Sequence, residues 1–215
     1  MAGHSNFCGI ILAAGESSRM GRDKALLPYP RQSPTSGPAE TFLSGHIRLF
    51  REHADAVTVV AGKNRDSISP VAAAFGASVT VNPAPERGQF SSLQTGLREA
   101  LNRGFDSVLI TLVDRPPIRT ETLATLKQSF EAAITDGKWA VIPQHHDHHG
   151  HPILAGRGLI EAFLRAPDVS NAREVEHAHQ DAIVYIAVDD PFVSLNVDTP
   201  EQYAALSSPP FSPVL

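Results

Sequence analysis

Cys8-Gly-Ile-Ile-Leu-Ala13, running directly into Ala14-Gly15-Glu-Ser-Ser-Arg19-Met-Gly-Arg-Asp23-Lys24, is the stretch that decides how this chain folds. Its first six positions are apolar or glycine without alternation, as expected of a strand covered on both faces. Similar short runs, rich in β-branched residues, recur at 56–61, 77–81, 107–112, 139–142 and 182–188. Between them the apolar spacing switches to that of a helix. Leu93, Leu97, Ala100 and Leu101 share a face over 91–103, and Leu123, Leu126, Phe130, Ala133 and Ile134 do so after Thr120, which reads as an N-cap. Leu43, Ile47 and Phe50 mark a helix near 41–53, and Leu159, Ile160, Phe163 and Leu164 mark another. The alternation implies an α/β fold: a doubly wound, mostly parallel sheet with helices on both faces, Rossmann-like in outline.

The 215 residues suit a single domain, 1–215, whose proline-rich end at 207–215 is expected to fray. Apolar residues make up 42% and charged residues 19%, so the chain is too apolar for disorder. No apolar stretch approaches the roughly 20 residues of a membrane helix, and no basic segment precedes an apolar core as in a secretory signal. A single cysteine fits a reducing compartment, and the expected location is cytoplasmic. The 18 Lys+Arg against 23 Asp+Glu give −5, with no basic block, which argues against nucleic-acid and membrane partners.

In an open α/β sheet, ligands sit at the carboxyl ends of the strands. At the end of the first run, Leu12, Ala13, Ala14 and Gly15 are small or apolar enough for close backbone approach. Their N–H groups can donate to phosphate oxygens. Arg19 can grip a phosphate in bidentate fashion and Lys24 as a point charge. The spacing is neither GxGxxG nor GxxxxGK[ST], so it is not a dinucleotide fingerprint or a P-loop. On residues alone, a phosphate site and a solvated basic turn both remain open.

The wording Leu12-Ala-Ala-Gly-Glu-Ser-Ser-Arg-Met-Gly-Arg-Asp-Lys-Ala-Leu-Leu-Pro28 closely resembles the signature loop of the MobA/MocA-like nucleotidyltransferases, which attach a nucleotide to molybdopterin. More distantly it resembles the sugar-nucleotide pyrophosphorylases, and hence the nucleotide-diphospho-sugar transferase type of fold. The likeness continues in order through Val81-Asn-Pro83, Gly88-Gln-Phe-Ser-Ser-Leu-Gln-Thr-Gly-Leu97, Leu112-Val-Asp-Arg-Pro116, Gly150-His-Pro152 and Asn196-Val-Asp-Thr-Pro-Glu-Gln-Tyr203. It spans about residue 8 to 206 and is nearest to the cytidylyl members.

The resemblance implies Mg²⁺-dependent transfer of CMP from CTP to the terminal phosphate of molybdopterin, with release of pyrophosphate. It makes Arg19, Lys24 and Asp114 catalytic, and Asp114 and Asp198 the metal ligands. It places Leu12, Ala13, Ala14, Gly15, Arg19, Lys24, Asn82, Gly88, Ser91 and Ser92 around the nucleotide and His151 on the acceptor side. Ser91 or Ser92 also reads as the N-cap of the following helix. Ala14 favours CTP over GTP, because guanine-using members tend to carry glycine there; the Asp23-Lys24-Ala25-Leu26 wording leans towards GTP. A downstream molybdenum enzyme or its chaperone is the implied protein partner.

The alternatives are guanylyl transfer to the same acceptor, or transfer to another small phosphorylated acceptor such as a sugar phosphate or methylerythritol phosphate. A nucleotide-binding module without turnover is the non-enzyme reading. Gln144-His-His-Asp-His-His-Gly-His151 reads first as a solvated loop and second as a transition-metal site. Two departures from the family pattern stand out: the proline-rich insertion after Leu27, and Ser170-Asn-Ala-Arg-Glu174 in the expected acceptor loop.

Overall fold

The computed structural model of the protein describes residues 6–15, 23–29 and 40–206. Arg19, the tail 207–215 and positions 30–38 of the proline-rich insertion lie outside the described residues. The strands are β1 (Phe7–Leu12), β2 (Ala56–Ala61), β3 (Ser78–Val81), β4 (Ser107–Leu112), β5 (Ala140–His145), β6 (His148–His149), β7 (Ile153–Gly156) and β8 (Ile183–Ala187). The α-helices are α1 (Phe42–Arg51), α2 (Arg65–Ala74), α3 (Gln89–Asn102), α4 (Thr120–Thr135), α5 (Arg157–Arg165), α6 (Ala172–Ala178) and α7 (Pro200–Ala205). Among the described residues no helix is long and apolar enough to cross a membrane.

All of β1 is buried, and it pairs in parallel with β2 on one side and β4 on the other. Its side chains divide between two cores. Phe7 and Ile11 join the α1, α2 and α4 side, where Phe42, Ile47, Ile68 and Phe130 gather. Cys8, Ile10 and Leu12 join the α3, α5 and α6 side, with Leu97, Phe163 and Val175. This two-sided burial is why the strand reads as a continuous apolar run. Gly9 makes room for a helix side chain: a Cβ there would stand 2.7 Å from the Phe50 ring.

The sheet order is β3-β2-β1-β4-β7-β5-β6, with β8 parallel to β5. The expected doubly wound α/β sheet with helices on both faces is present. Two strands depart from the parallel order: β7 runs antiparallel between β4 and β5, and the two-residue β6 pairs antiparallel with β5 at the edge. The four-residue Ile153-Leu-Ala-Gly156 is too short to carry a strand signal beside the helical pattern that follows it.

Two expected helix starts differ. α3 begins at Gln89 with Gly88 in the N-cap position, at φ +90° and ψ −177°, so neither Ser91 nor Ser92 caps it. Thr120 is the first residue of α4 rather than its cap. The buried Asp190 supplies the missing acceptor from another segment, taking hydrogen bonds from Arg119 N at 2.9 Å and Thr122 Oγ1 at 2.9 Å.

The histidine-rich stretch forms the β5–β6 hairpin. His146 turns it with φ 50°, and His149 stacks on Tyr185 at 4.1 Å between ring centroids. Among the described residues no group of three or more His, Cys, Asp or Glu comes together as a metal cage. The insertion leaves and returns at a narrow neck. Pro28 bridges Thr41 antiparallel, Tyr29 N donates to Glu40 O at 2.6 Å, and Phe42 N donates to Leu27 O at 3.1 Å. The Tyr203 hydroxyl donates to Pro28 O at 2.7 Å, so the neck is also tied to α7.

Gly150 joins the hairpin to the segment that precedes α7. Its N–H donates to Pro143 O at 2.8 Å, and a Cβ there would stand 2.1 Å from Val193 O. Because that neighbour is backbone, Gly150→Ala should lower stability by about 1–3 kcal/mol, read as an earlier urea midpoint at unchanged slope.

Candidate active site

A cleft of about 420 Å³ opens at the carboxyl ends of β1 and β4, walled by the start of α3. Its lining includes Leu12, Ala14, Gly15, Lys24, Gly88, Ser92 and Asp114, all named from the sequence. Pro85, Glu86, Gln89, Leu112 and Val113 complete it, and sequence reading did not single these out. Gln89, Leu112 and Val113 belong to the motifs at 88–97 and 112–116 without having been assigned a role, and Pro85 and Glu86 lie between the motifs at 81–83 and 88–97.

Lys24 stands in a single 3₁₀ turn, Lys24–Leu26, whose N-cap Asp23 accepts from Ala25 N at 3.0 Å. The ammonium lies between the two expected acids. It donates to Asp198 Oδ1 at 2.8 Å and stands 3.5 Å from Asp114 Oδ2. Asp114 follows β4, and its backbone carbonyl accepts from Val197 N at 2.9 Å, which brings the Asp198 segment alongside. Asp198 N and Thr199 N both donate to Gln202 Oε1, at 2.6 and 3.1 Å, in the capping box of α7. The two carboxylates, far apart in sequence, are thus held as neighbours by backbone hydrogen bonds and one shared cation.

Asn82 and Ser91 sit one layer behind the lining. The buried Asn82 donates through Nδ2 to Ser91 Oγ at 2.8 Å and Ser92 Oγ at 2.9 Å, and its Oδ1 accepts from Ala84 N at 3.0 Å. Ser91 Oγ in turn donates to Gly88 O at 2.7 Å. The group braces the wall formed by 84–88 and the start of α3. Ala13 lies beneath the floor, its N–H donating to Val60 O at 2.9 Å.

Asp114 Oδ1 is buried with no hydrogen-bond partner, and a second carboxylate lies next to it across Lys24. An orphaned carboxylate oxygen in a set of hard oxygen donors suits Mg²⁺, which is commonly held by one or two carboxylates together with substrate phosphates and water. The residues present therefore fit such an ion.

Behind the acids lies a cationic layer. The partly buried Arg115 donates from Nη1 to Val193 O at 2.8 Å, and burial pulls its pKa below the usual value against the opposing pull of Asp114 and Asp198. His46 Nε2 meets Arg115 O at 2.8 Å and His151 Nδ1 meets Ile110 O at 3.2 Å. Each carbonyl-facing nitrogen must carry the proton. Burial pushes His46 down to about 4, and burial together with Arg115 pushes His151 down to about 3. His151, expected on the acceptor side, is not among the residues lining the cleft.

The fold and this cleft are those of an α/β protein with a ligand site at the carboxyl ends of its central strands. The chain belongs to the family of the MobA-like NTP transferase domain, whose pattern matches residues 9–183. It is 24% identical over 199 residues to the molybdenum cofactor cytidylyltransferase of Escherichia coli, covering 90% of this chain and 92% of that one. It is 30% identical over 130 residues to a probable molybdenum cofactor guanylyltransferase of Rhodopirellula baltica, covering 59% and 57%. The chain spans 31% of the length of the bifunctional protein GlmU of Agrobacterium fabrum, at 33% identity over 154 residues that cover 71% of this chain. The crystal structure of Rv0371c from Mycobacterium tuberculosis superposes with a TM-score of 0.75 at 26% identity, covering 94% of this chain and 98% of that one. A further crystal structure of that mycobacterial protein is a complex with manganese, and superposes with a TM-score of 0.69 at 23% identity over 94% and 98% of the two chains.

The two low histidine pKa values set a pH dependence. Both rings protonate more readily in the unfolded chain, near 6.5, than in the fold, so their contribution to stability is complete above about 6.5 and is lost as pH falls towards 4 and 3. The urea midpoint should drop between pH 7 and 5, with each histidine contributing about 1.4 kcal/mol per pH unit below its unfolded value. His46→Asn and His151→Asn should each flatten that slope, whatever they do to stability at pH 7.

Proposed function

We propose that the protein transfers CMP from CTP to the terminal phosphate of molybdopterin and releases pyrophosphate. The observation that carries this reading is the cleft itself, which gathers the Ala14 and Gly15 backbone, the Lys24 ammonium and the Asp114 carboxylate against the Gly88–Ser92 wall. The acceptor phosphate oxygen forms a bond to the α-phosphorus, the bond from that phosphorus to the bridging oxygen breaks, and pyrophosphate leaves with the electron pair. A phosphate monoester has a second pKa near 6 and is largely dianionic at neutral pH, so no general base has to be supplied. The work left to the protein is to align two anions and relieve their repulsion. Lys24 and the Ala14 and Gly15 N–H groups meet the triphosphate. Ser92 and Gly88 border the nucleoside, with Asn82 and Ser91 holding that wall from behind.

Asp114 and Asp198 would hold Mg²⁺. When bound, that ion supplies charge neutralisation and orients phosphate oxygens. Asp114 brings to it the oxygen that has no other partner.

The choice of CTP rests on Ala14, which borders the cleft, where a methyl group in place of hydrogen leaves less room for a purine. One methyl discriminates by about 1–3 kcal/mol. The competing GTP reading draws on the Asp23-Lys24-Ala25-Leu26 wording and on relatives such as that of R. baltica. Asp23, however, caps the turn beneath Lys24 and is not part of the cleft lining. The wording therefore reports how Lys24 is presented more than which base is chosen.

Thermal stabilisation by each of CTP, GTP, ATP and UTP, with and without Mg²⁺, tests the reading. A ligand at about 100 times its dissociation constant adds roughly 2.7 kcal/mol, a visible shift. The expected result is a Mg²⁺-dependent preference for CTP, followed by pyrophosphate release with molybdopterin as acceptor. A preference for GTP would transfer the assignment to guanylyl transfer, and no response to any triphosphate would remove the enzyme reading. Asp114→Asn should abolish most Mg²⁺-dependent turnover with the fold intact by circular dichroism. Lys24→Ala should weaken triphosphate binding about ten-fold or more; kinetics equal to the parent at limiting triphosphate would refute its role.

A further inference from the structure

Asn64 sits where an asparagine ordinarily caps a helix, immediately before α2, yet it makes no side-chain cap to that helix. Its amide reaches out of the β2–α2 turn instead. Nδ2 donates to Ala13 O at 2.8 Å and to Asp23 Oδ2 at 2.7 Å, using both of its hydrogens, while Oδ1 accepts from Gly62 N at 3.1 Å. Ala13 is the last residue before the chain enters 14–22, and Asp23 is the first after it. One amide nitrogen therefore ties the residue that follows β1 to the cap of the turn that presents Lys24.

The surroundings fix that amide from three sides. Gly62 lies so close under Ala14 that a Cβ on it would stand 2.8 Å from Ala14 O. Ala13 N is already tied to Val60 O at 2.9 Å, so β2 holds the entry by its backbone and by Asn64 together. At the exit, Asp23 uses Oδ2 for Asn64 and Oδ1 for Ala25 N, the bond that caps the turn presenting Lys24. Only a side-chain amide offers two donors on one nitrogen with an acceptor beside it. A carboxylate at 64 would face the Ala13 carbonyl and the Asp23 carboxylate with like charge.

We propose that Asn64 is a positioning residue for the triphosphate: it ties the Ala13 carbonyl to Asp23 and so sets Lys24, without touching substrate. This rests on the reading of the cleft as a nucleoside triphosphate site.

The test compares the parent with Asn64→Ala, Asn64→Asp and the exchanged pair Asn64→Asp with Asp23→Asn. Two readouts are used: CTP affinity with Mg²⁺ by calorimetry, and the rate of tryptic cleavage after Arg19 and Arg22 in the absence of nucleotide. Asn64→Ala should weaken CTP about ten-fold, raise KM far more than it changes kcat, and speed cleavage at those two sites. Asn64→Asp should be worse. The exchanged pair should recover part of the loss, because the amide introduced at position 23 can donate to the carboxylate introduced at position 64 while its oxygen still accepts from Ala25 N.

CTP affinity and cleavage equal to the parent in Asn64→Ala would overturn the inference. So would a loss that the exchanged pair fails to relieve and that follows the fall in melting temperature, since a purely structural asparagine behaves that way. If the parent itself binds no triphosphate, the functional reading fails and this inference with it.

Discussion

Burial of β1 on both faces is the constraint from which the rest of the molecule follows. Phe7 and Ile11 need one apolar layer and Cys8, Ile10 and Leu12 need another, so helices must cover both sides of the sheet. With two dry faces, few polar groups can stand in the middle of a strand without a partner. Charged chemistry is thereby displaced to the strand ends. The carboxyl ends of β1 and β4, adjacent and parallel, bring Ala14, Gly15 and Asp114 to one edge. The location of the cleft is thus a result of how the core is filled.

Where the apolar pattern is long and regular, that architecture was legible. β1, β2 and β4 are six-residue runs with a period that leaves little choice, and α3 and α4 carry clear stripes. β7 was not legible, because four residues directly ahead of a helix are too few to set a strand period. Nor was α2, since it buries only Ile68 and Ala72 and contains Pro70. Of the candidate site, Lys24 could be named as a charge in the loop that follows a strand, and Asp114 through the likeness of 112–116 to the family. Asn64 could not. It acts through a backbone carbonyl and through an aspartate 41 positions earlier, and neither leaves a pattern in the order of residues. Ser91 and Ser92 show the converse: hydroxyls that suit a helix cap instead satisfy Asn82, while Gly88 with its positive φ starts the helix.

The electrostatics of the cleft form two layers. In front, Lys24 separates Asp114 from Asp198, so that two acids brought together by Val197 N and Asp114 O do not repel unopposed. Behind, Arg115 adds a second positive charge, flanked by His46 and His151, which burial keeps neutral. Because both histidines are held in the neutral form by their surroundings, ordinary changes around neutral pH leave the charge of this rear layer unchanged. Lys24 is itself set by Asp23 and, through it, by Asn64. The position of the front cation is therefore inherited from the turn after β2.

The neck at Pro28 and Thr41 divides the chain in a different sense. Leu27, Pro28 and Tyr29 meet Glu40, Thr41 and Phe42 in consecutive backbone contacts, and Tyr203 fastens the same point from α7. Once those ends are joined, the number of residues between them is nearly irrelevant to the domain: doubling a closed segment costs only about 0.6 kcal/mol of closure entropy. Positions 30–39 are accordingly the place where this chain can lengthen, shorten or acquire a graft over evolutionary time while Lys24, a few residues upstream, keeps its geometry. A family pattern that usually turns tightly here and a chain that carries an insertion can then share one frame around the cleft.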